Sequence, residues 1–301
     1  MDTVDRVQEV GYVTIGTTDL DRAIDFYTQV IRLGVTERRA DEVFLTGGKE
    51  HFWIRLQAAD VDGVLAVGMR MADDDALTRA QQRLEAHGTA TTEVTDPATH
   101  RVARYVEFVD PSGQTIQLFS GMVQRHYAPA ASGIALVKML HAVWGTANFV
   151  ESWNFHRDVL GFRPSDFIEE FAVFMHAADQ YHHGIALIAS PQPGFQHMCI
   201  MVDSIDDVMR ARNNALLLGH ELQMDLLRHA PSTSMGMYIQ DPQHGLSVEF
   251  CARHRQLEQD HQPRTLRAAA ETIDIWKEPL PTTTPPPPAV TLEEMLAEQN
   301  R

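Results

Sequence analysis

The sequence predicts an α+β chain of two domains, each holding two units of strand, helix and further strands. Three observations carry this: a length of 301 residues, an internal repeat at an offset of 129 residues, and short strand patterns that run into amphipathic helices. At roughly 100 to 200 residues per domain, the length suits about two cores. The repeat makes those cores two copies of one architecture.

The first unit opens at Tyr12, where YVTIGTTDLDRAIDFY reads as a short strand, a polar cap and a helix. Thr18 followed by Asp21 resembles a capping box at the helix start. Gly47-Gly48 is a hairpin signal. From Val67, VGMRMADDDALTRAQQRLEAHG predicts a strand and an amphipathic helix that stops near a glycine. Asp73, Asp74 and Asp75 suit a solvated helix start favoured by the macrodipole. YVEFVDPSGQTIQLF then predicts two strands joined by an Asp-Pro turn.

The second half repeats this order. HAVWGTANFVESWNFH, from His141, places Gly145 on Gly16, Thr146 on Thr17 and Phe155 on Phe26, with Asn148 as the cap. HMCIMVDSIDDVMRARNNALLLGH overlays the stretch from Val67, and MYIQDPQHGLSVEFC is the second Asp-Pro hairpin. Phe149, Trp153 and Val159 follow helical spacing and are expected in the core. APAAS, residues 128–132, reads as a linker, which sets domains of residues 7–124 and 137–256. Residues 257–301 differ in kind, with the polyproline-type segment PLPTTTPPPPA and a helix-start signature at Thr291 and Glu294, and are expected as an extended surface arm.

Composition excludes several classes of function. The 25 Lys and Arg against 41 Asp and Glu give a formal charge of −16, which repels phosphate backbones and acidic membrane surfaces, so nucleic acid is not expected as a partner. With 44% hydrophobic and 22% charged residues the chain is expected to be soluble and folded. No run approaches the ~18 apolar residues of a spanning helix, and the acidic MDTVDRVQEV lacks the apolar stretch of a secretory signal, so the expected location is the cytoplasm. Cys199 and Cys251 are the two cysteines, without CxxC spacing, and do not form a zinc site by themselves. Histidine is unevenly placed: of 15, four (His51, His87, His100 and His126) precede residue 131 and eleven fall between His141 and His261.

Positions that differ in character between two copies of one scaffold separate site from scaffold. His141 overlays Tyr12, His197 overlays Val67 and Glu249 overlays Gln117. Three potential metal ligands in the second half thus face three poor ones in the first. Two imidazoles and a carboxylate form the facial triad that holds Fe(II) with open coordination positions. Cys199 and Cys251 follow His197 and Glu249 by two residues, so strand alternation puts them on the ligands' face as buried cup-lining residues. His156, His176, His220, His244 and His254 are expected as helix-face, turn or surface residues.

Through those motifs the chain resembles the two-domain extradiol, or catechol ring-cleaving, dioxygenases of the vicinal oxygen chelate superfamily, over nearly everything up to about residue 256. The resemblance implies four βαβββ modules paired into two domains, the second carrying Fe(II), with Mn(II) as the other candidate ion. It implies that His141 in KMLHAVWG, His197 in FQHMCIMVDSIDDV and Glu249 in LSVEFC are the ligands. It further implies that His183 in YHHGIALIA is the catalytic histidine, and that His229 and Tyr238 in RHAPSTSMGMYIQDP contact the substrate hydroxyl. His183 is chosen over His182 because His51 overlays His182 in the silent half, whereas Phe52 overlays His183. One departure from the family pattern is the turn DPQHGLSVE, which carries one residue more between Asp241 and Glu249 than DPxG turns there usually do. The implied partners are a small aromatic diol and dioxygen, in a homo-oligomer serving aromatic catabolism. A glyoxalase-like isomerase or lyase, and a non-catalytic drug-binding member of the superfamily, are the rival readings. The paired His183 and His229 with Tyr238 suit a catecholate better than a thiohemiacetal, and a binding protein needs no triad.

Overall fold

Four strand-helix-strand-strand-strand modules form two sheets in the computed structural model, which describes residues 1–129 and 133–278. The first module comprises β1 (Glu9–Thr17), α1 (Leu20–Asp25), β2 (Gly34–Arg38), β3 (Glu42–Thr46) and β4 (Ile54–Ala58). The second comprises β5 (Gly63–Arg70), α2 (Asp74–Ala86), β6 (Thr92–Val94), a one-turn α3 (Pro97–His100), β7 (Arg104–Val109) and β8 (Thr115–Ser120). In the second domain β9 (Leu136–Thr146), α4 (Phe149–Asp158), β10 (Arg163–Ile168), β11 (Ala172–His176) and β12 (Ile185–Ala189) precede the last module. That module holds β13 (Gly194–Val202), α5 (Ile205–Leu217), β14 (Leu222–Arg228), β15 (Met235–Gln240) and β16 (Ser247–Ala252). The sheet orders are β2-β3-β4-β1-β5-β8-β7-β6 and, ignoring an added edge strand, β14-β15-β16-β13-β9-β12-β11-β10. The two orders run in opposite directions as written but are the same topology, with the modules of each domain meeting at an antiparallel pair, β1 with β5 and β9 with β13.

Local chemistry explains the helix starts. Asp73 caps α2 by accepting from the Ala76 N–H at 2.7 Å. At α1 the cap is Asp19, which accepts from Arg22 N–H, and Thr18 instead donates its N–H to Asp62 at 2.7 Å, so the capping box expected at Thr18 and Asp21 does not form. Asn148 caps α4 without a side-chain hydrogen bond to it. Past the ends of α2 and α5, Gly88 and Gly219 take φ of +85° and +78°, the left-handed region that glycine enters without penalty.

Each sheet has one face against its helices. Ala76, Leu77, Ala80 and Leu84 of α2 and Val208, Ala211 and Ala215 of α5 are buried in an apolar cluster that runs through both domains. The other face curves into a cup. The first cup is filled by Tyr12, Phe44, Phe52 and Phe119, whereas the second holds an open cavity lined by apolar and polar side chains together. Between the domains, Asp110 meets His156 at 2.9 Å with both side chains fully buried, and Trp144 Nε1 donates to Ser112 Oγ at 2.8 Å.

The segment after residue 257 is built into the second domain where it is described. β17 (Arg264–Leu266) pairs parallel with β10, and a one-turn α6 (Ala270–Ile273) follows. The proline run and the helix signature at Thr291 and Glu294 lie outside the described residues, as do residues 130–132 of the linker. No described helix is long and apolar enough to cross a membrane.

Candidate metal centre

Three adjacent strands, β16, β13 and β9, bring the expected ligands together. Glu249 and His141 both stand opposite Cys199, and His197 lies two residues before Cys199 on the same face. His141 Nε2 lies 3.0 Å from Glu249 Oε2 and His197 Nε2 lies 3.5 Å from the same oxygen. One donor atom from each of the three falls within 4.8 Å of the others. His141 and Glu249 are each 1% exposed, while His197 opens to the cavity.

The donors fit a divalent transition ion. Burial alone would raise the Glu249 carboxyl, but His141, His229 and His197 around it hold it well below the usual carboxylate range. Burial, only partly offset by Glu249, pushes His197 down to about 3, which leaves a neutral imidazole with a lone pair to donate. Gly236, on β15, makes room for the carboxylate: a Cβ there would stand 3.1 Å from Glu249 Oε1 and 2.7 Å from the Phe250 carbonyl oxygen. Among the described residues two more donor groups are as tight, His141 with His183 and His254, and Cys199 with Glu249 and Cys251. The first lacks a carboxylate to balance the ion's charge, and the thiols of the second are raised by burial, which disfavours thiolate.

His183, His229 and Tyr238 surround the triad. The His183 ring stacks on His141 with centroids 4.1 Å apart, and its Nδ1 lies 3.0 Å from Nδ1 of His182. His229 Nε2 lies 2.8 Å from the Tyr238 hydroxyl, and His229 Nδ1 lies 2.7 Å from the carbonyl oxygen of Ile273. A carbonyl can only accept, so Nδ1 carries the proton; burial keeps the ring neutral, and Nε2 therefore accepts from Tyr238. All three line a cavity of about 530 Å³ whose walls include Ile168, Phe171, Phe174, Phe195 and Met224. No lysine or arginine lines it among the described residues.

Several expectations need correction. The β1–β5 and β5–β8 registers pair Tyr12 with Gly68 and Gly68 with Gln117, just as His141 and Glu249 pair with Cys199, so the counterpart of His197 is Ala66 and not Val67. A shift of one residue exchanges sheet faces, and Val67 belongs to the helix-side core. Cys199 and Cys251 are buried, 3.3 Å apart, and pack with Leu140 and Met201 rather than lining the cavity. His156 lies on a helix, α4, as expected, whereas His176 on β11 and His254 past β16 are buried residues of neither helix nor surface. His254 is one residue that sequence reasoning missed, its ring centroid 4.6 Å from His183 and 5.6 Å from His141. Arg253, at φ +58°, turns the chain inward just before it, and nothing in the sequence announces that turn.

A family model described as the Glyoxalase/Bleomycin resistance protein/Dioxygenase superfamily matches residues 9–118 and 138–250. The chain is 25% identical over 300 residues to an iron-dependent extradiol dioxygenase of Rhodococcus jostii (strain RHA1), covering 90% of this chain and 96% of that one. It is 27% identical over 264 residues to a biphenyl-2,3-diol 1,2-dioxygenase of Paraburkholderia xenovorans (strain LB400), covering 81% and 87%. Among solved structures, a Mn(II)-bound glyoxalase from Novosphingobium aromaticivorans superposes with a TM-score of 0.84 at 26% identity, covering 97% of this chain and 99% of that one.

Proposed function

Because the chain belongs to the Glyoxalase/Bleomycin resistance protein/Dioxygenase superfamily, we propose that it is an extradiol dioxygenase opening the ring of a catechol beside its vicinal diol. The observation that carries this reading is the set of three polar groups, His183, His229 and Tyr238, around a two-histidine, one-carboxylate triad in a single cavity. His141, His197 and Glu249 would hold Fe(II), with Mn(II) as the alternative ion. Bound there, the metal supplies Lewis acidity that favours an ionised catechol hydroxyl, and open positions at which diol and dioxygen meet.

The chain's own residues do the rest. Tyr238 donates to His229 and keeps its oxygen lone pairs for a substrate hydroxyl, so this pair orients one end of the diol and can take its proton. His183 handles a second proton from the other side of the triad, taking it from the diol and returning it to the product. Ile168, Phe171, Phe174, Phe195 and Met224 give a bound ring an apolar surface that displaces water from beside it. The cavity walls set aromatic and aliphatic side chains beside neutral polar ones such as Gln223 and Ser232 and carry no lysine or arginine among the described residues, which suits an uncharged catechol over one bearing a carboxylate.

The Mn(II)-bound glyoxalase structure favours a second reading, an isomerase or lyase on the same scaffold. Metal-free protein reloaded with Fe(II) or Mn(II) and given unsubstituted, phenyl-substituted and carboxylated catechols under air separates the two. Yellow ring-opened product, formed fastest from the phenyl-substituted diol, is the expected result. No product from any diol, with the metal retained, would favour the second reading.

A further inference from the structure

Behind His183 a buried chain of hydrogen bonds leads away from the cavity. His183 Nδ1 meets His182 Nδ1 at 3.0 Å, and His182 Nε2 meets Asp166 Oδ2 at 2.9 Å. All three side chains are buried. Arg264 grips the carboxylate, its backbone N–H and Nε donating to Oδ1 at 2.9 and 3.0 Å and its Nη2 to Oδ2. Arg255 stands 3.7 Å from Oδ2, and His261 Nε2 lies 4.0 Å from Oδ1.

The direction of each bond follows from what each atom can carry. Burial alone would raise Asp166, but His182 and Arg264 hold it well below the usual carboxylate range, so it is ionised and can only accept. His182 Nε2 therefore bears a proton. A second proton on His182 is disfavoured by burial and by Arg255 and Arg264, which outweigh Asp166 and push the ring down to about 4. Its Nδ1 is then a bare lone pair, and one proton must lie between the two facing Nδ1 atoms. That proton belongs to His183 Nδ1, and an imidazole in the neutral Nδ1–H form carries its lone pair on Nε2.

We propose that Asp166 and His182 are positioning residues that fix the tautomer of His183, so that its free Nε2 serves the cavity as a proton acceptor. When Nε2 takes a proton, the Nδ1–H bond to His182 lets the new positive charge lean on Asp166, the logic by which a buried carboxylate orients a catalytic imidazole in hydrolase triads. The proposal rests on the reading of His183 given above.

The first domain holds the same clamp without the relay. Glu37 stands opposite Phe44 in β2–β3 as Asp166 stands opposite Phe174 in β10–β11. Arg101 donates to both oxygens of Glu37 at 2.7 Å, and His51 Nε2 lies 3.1 Å from Oε2. There the next residue is Phe52, buried in the aromatic filling of the cup, and the chain of bonds ends at His51. The arginine–carboxylate–histidine clamp is thus common to both copies, and its extension to a cavity histidine belongs to the second.

The test reads imidazole nitrogens in the full chain labelled with ¹⁵N-histidine, metal-free and without substrate, with the His183 signals identified by their loss in His183→Gln. Native protein should show His183 protonated at Nδ1 and bare at Nε2. In Asp166→Asn, Arg264 occupies the amide oxygen, the amide N–H₂ faces His182 Nε2, and both rings should switch, placing the His183 proton on Nε2. Metal content and anaerobic catechol binding should stay within about 2-fold of native while turnover falls by about 10²-fold or more. Glu37→Gln should change neither the His183 signals nor turnover. A native His183 already protonated at Nε2, or an Asp166→Asn chain that loses turnover with the tautomer unchanged, would overturn the proposal. Because the native spectrum needs no variant and no substrate, the expected tautomer in a chain that cleaves no catechol would support the relay while removing the ring-cleavage reading.

Discussion

Tyr238 lies directly across the β15–β16 ladder from Glu249, although the turn between these strands is one residue longer than its counterpart in the first domain. In the first domain Glu107 pairs with Gln117 and the turn closes with Asp110 N–H on the Gln114 carbonyl; in the second, Asp241 N–H reaches the Leu246 carbonyl. Gly245, at φ +67°, accommodates the longer turn, so the insertion ends before the strands begin. The tyrosine therefore keeps its place beside the carboxylate.

Glu249→Gln should strip most of the metal from purified protein, because the neutral amide cannot balance the ion's charge in a buried site. Gly236→Ala should also lower occupancy, since its Cβ would crowd Glu249 Oε1 and the Phe250 carbonyl. Elemental analysis checks both. Full occupancy in Glu249→Gln would remove the carboxylate from the ligand set.

His183→Gln should retain metal and bind catechol anaerobically while turnover falls by about 10²-fold or more, the range of a lost acid-base group. Loss of metal from this variant would make His183 a ligand instead.

The first domain is expected to supply packing and no chemistry. Its counterparts of His141 and Glu249 are closed on themselves, Tyr12 donating to Gln117 Oε1 at 2.6 Å and Gln117 donating to Glu107 at 2.7 Å. Tyr12→Phe should lower thermal stability, by about 1–3 kcal/mol for an acceptor left unpaired in a buried site, with turnover near normal. A large loss of activity with fold and metal intact would contradict this.

The buried Asp110–His156 pair between the domains predicts a pH signature. Burial alone would raise Asp110, but the bonds from His156 and Ser112 lower it below its ordinary value. A depressed carboxylate contributes stability above its unfolded value of about 3.9, and the contribution is lost as pH falls through the lower folded value. Asp110→Asn should therefore melt below native protein at pH 7, and the two melting curves should converge below about pH 4. A gap that stays constant into acid would exclude an ionised Asp110.

The repeat makes the four modules and the candidate triad legible, because His141, His197 and Glu249 fall where the first copy has residues that cannot bind a metal well. Face is less legible than position: the sequence overlay sets His197 on Val67 where sheet pairing gives Ala66, since the two β5 neighbours differ by one step and only the ladder tells which faces the cup. His254 and Asp166 were hidden for another reason. Each reaches His182 or His183 through a turn or a neighbouring strand, and long-range contacts of that kind leave no local spacing to read. Residues 264–273 were hidden likewise, since RTLRAAAETI has neither strand alternation nor a turn signal to show that β17 completes a sheet edge and that Thr272 and Ile273 close the cavity.

Isotopic labelling tests the ring-cleavage account most directly. Metal-loaded protein turning over a phenyl-substituted catechol under ¹⁸O₂ should give a ring-opened product carrying both atoms of one dioxygen molecule. A product with neither atom, or a rearranged substrate formed equally well without air, would contradict it.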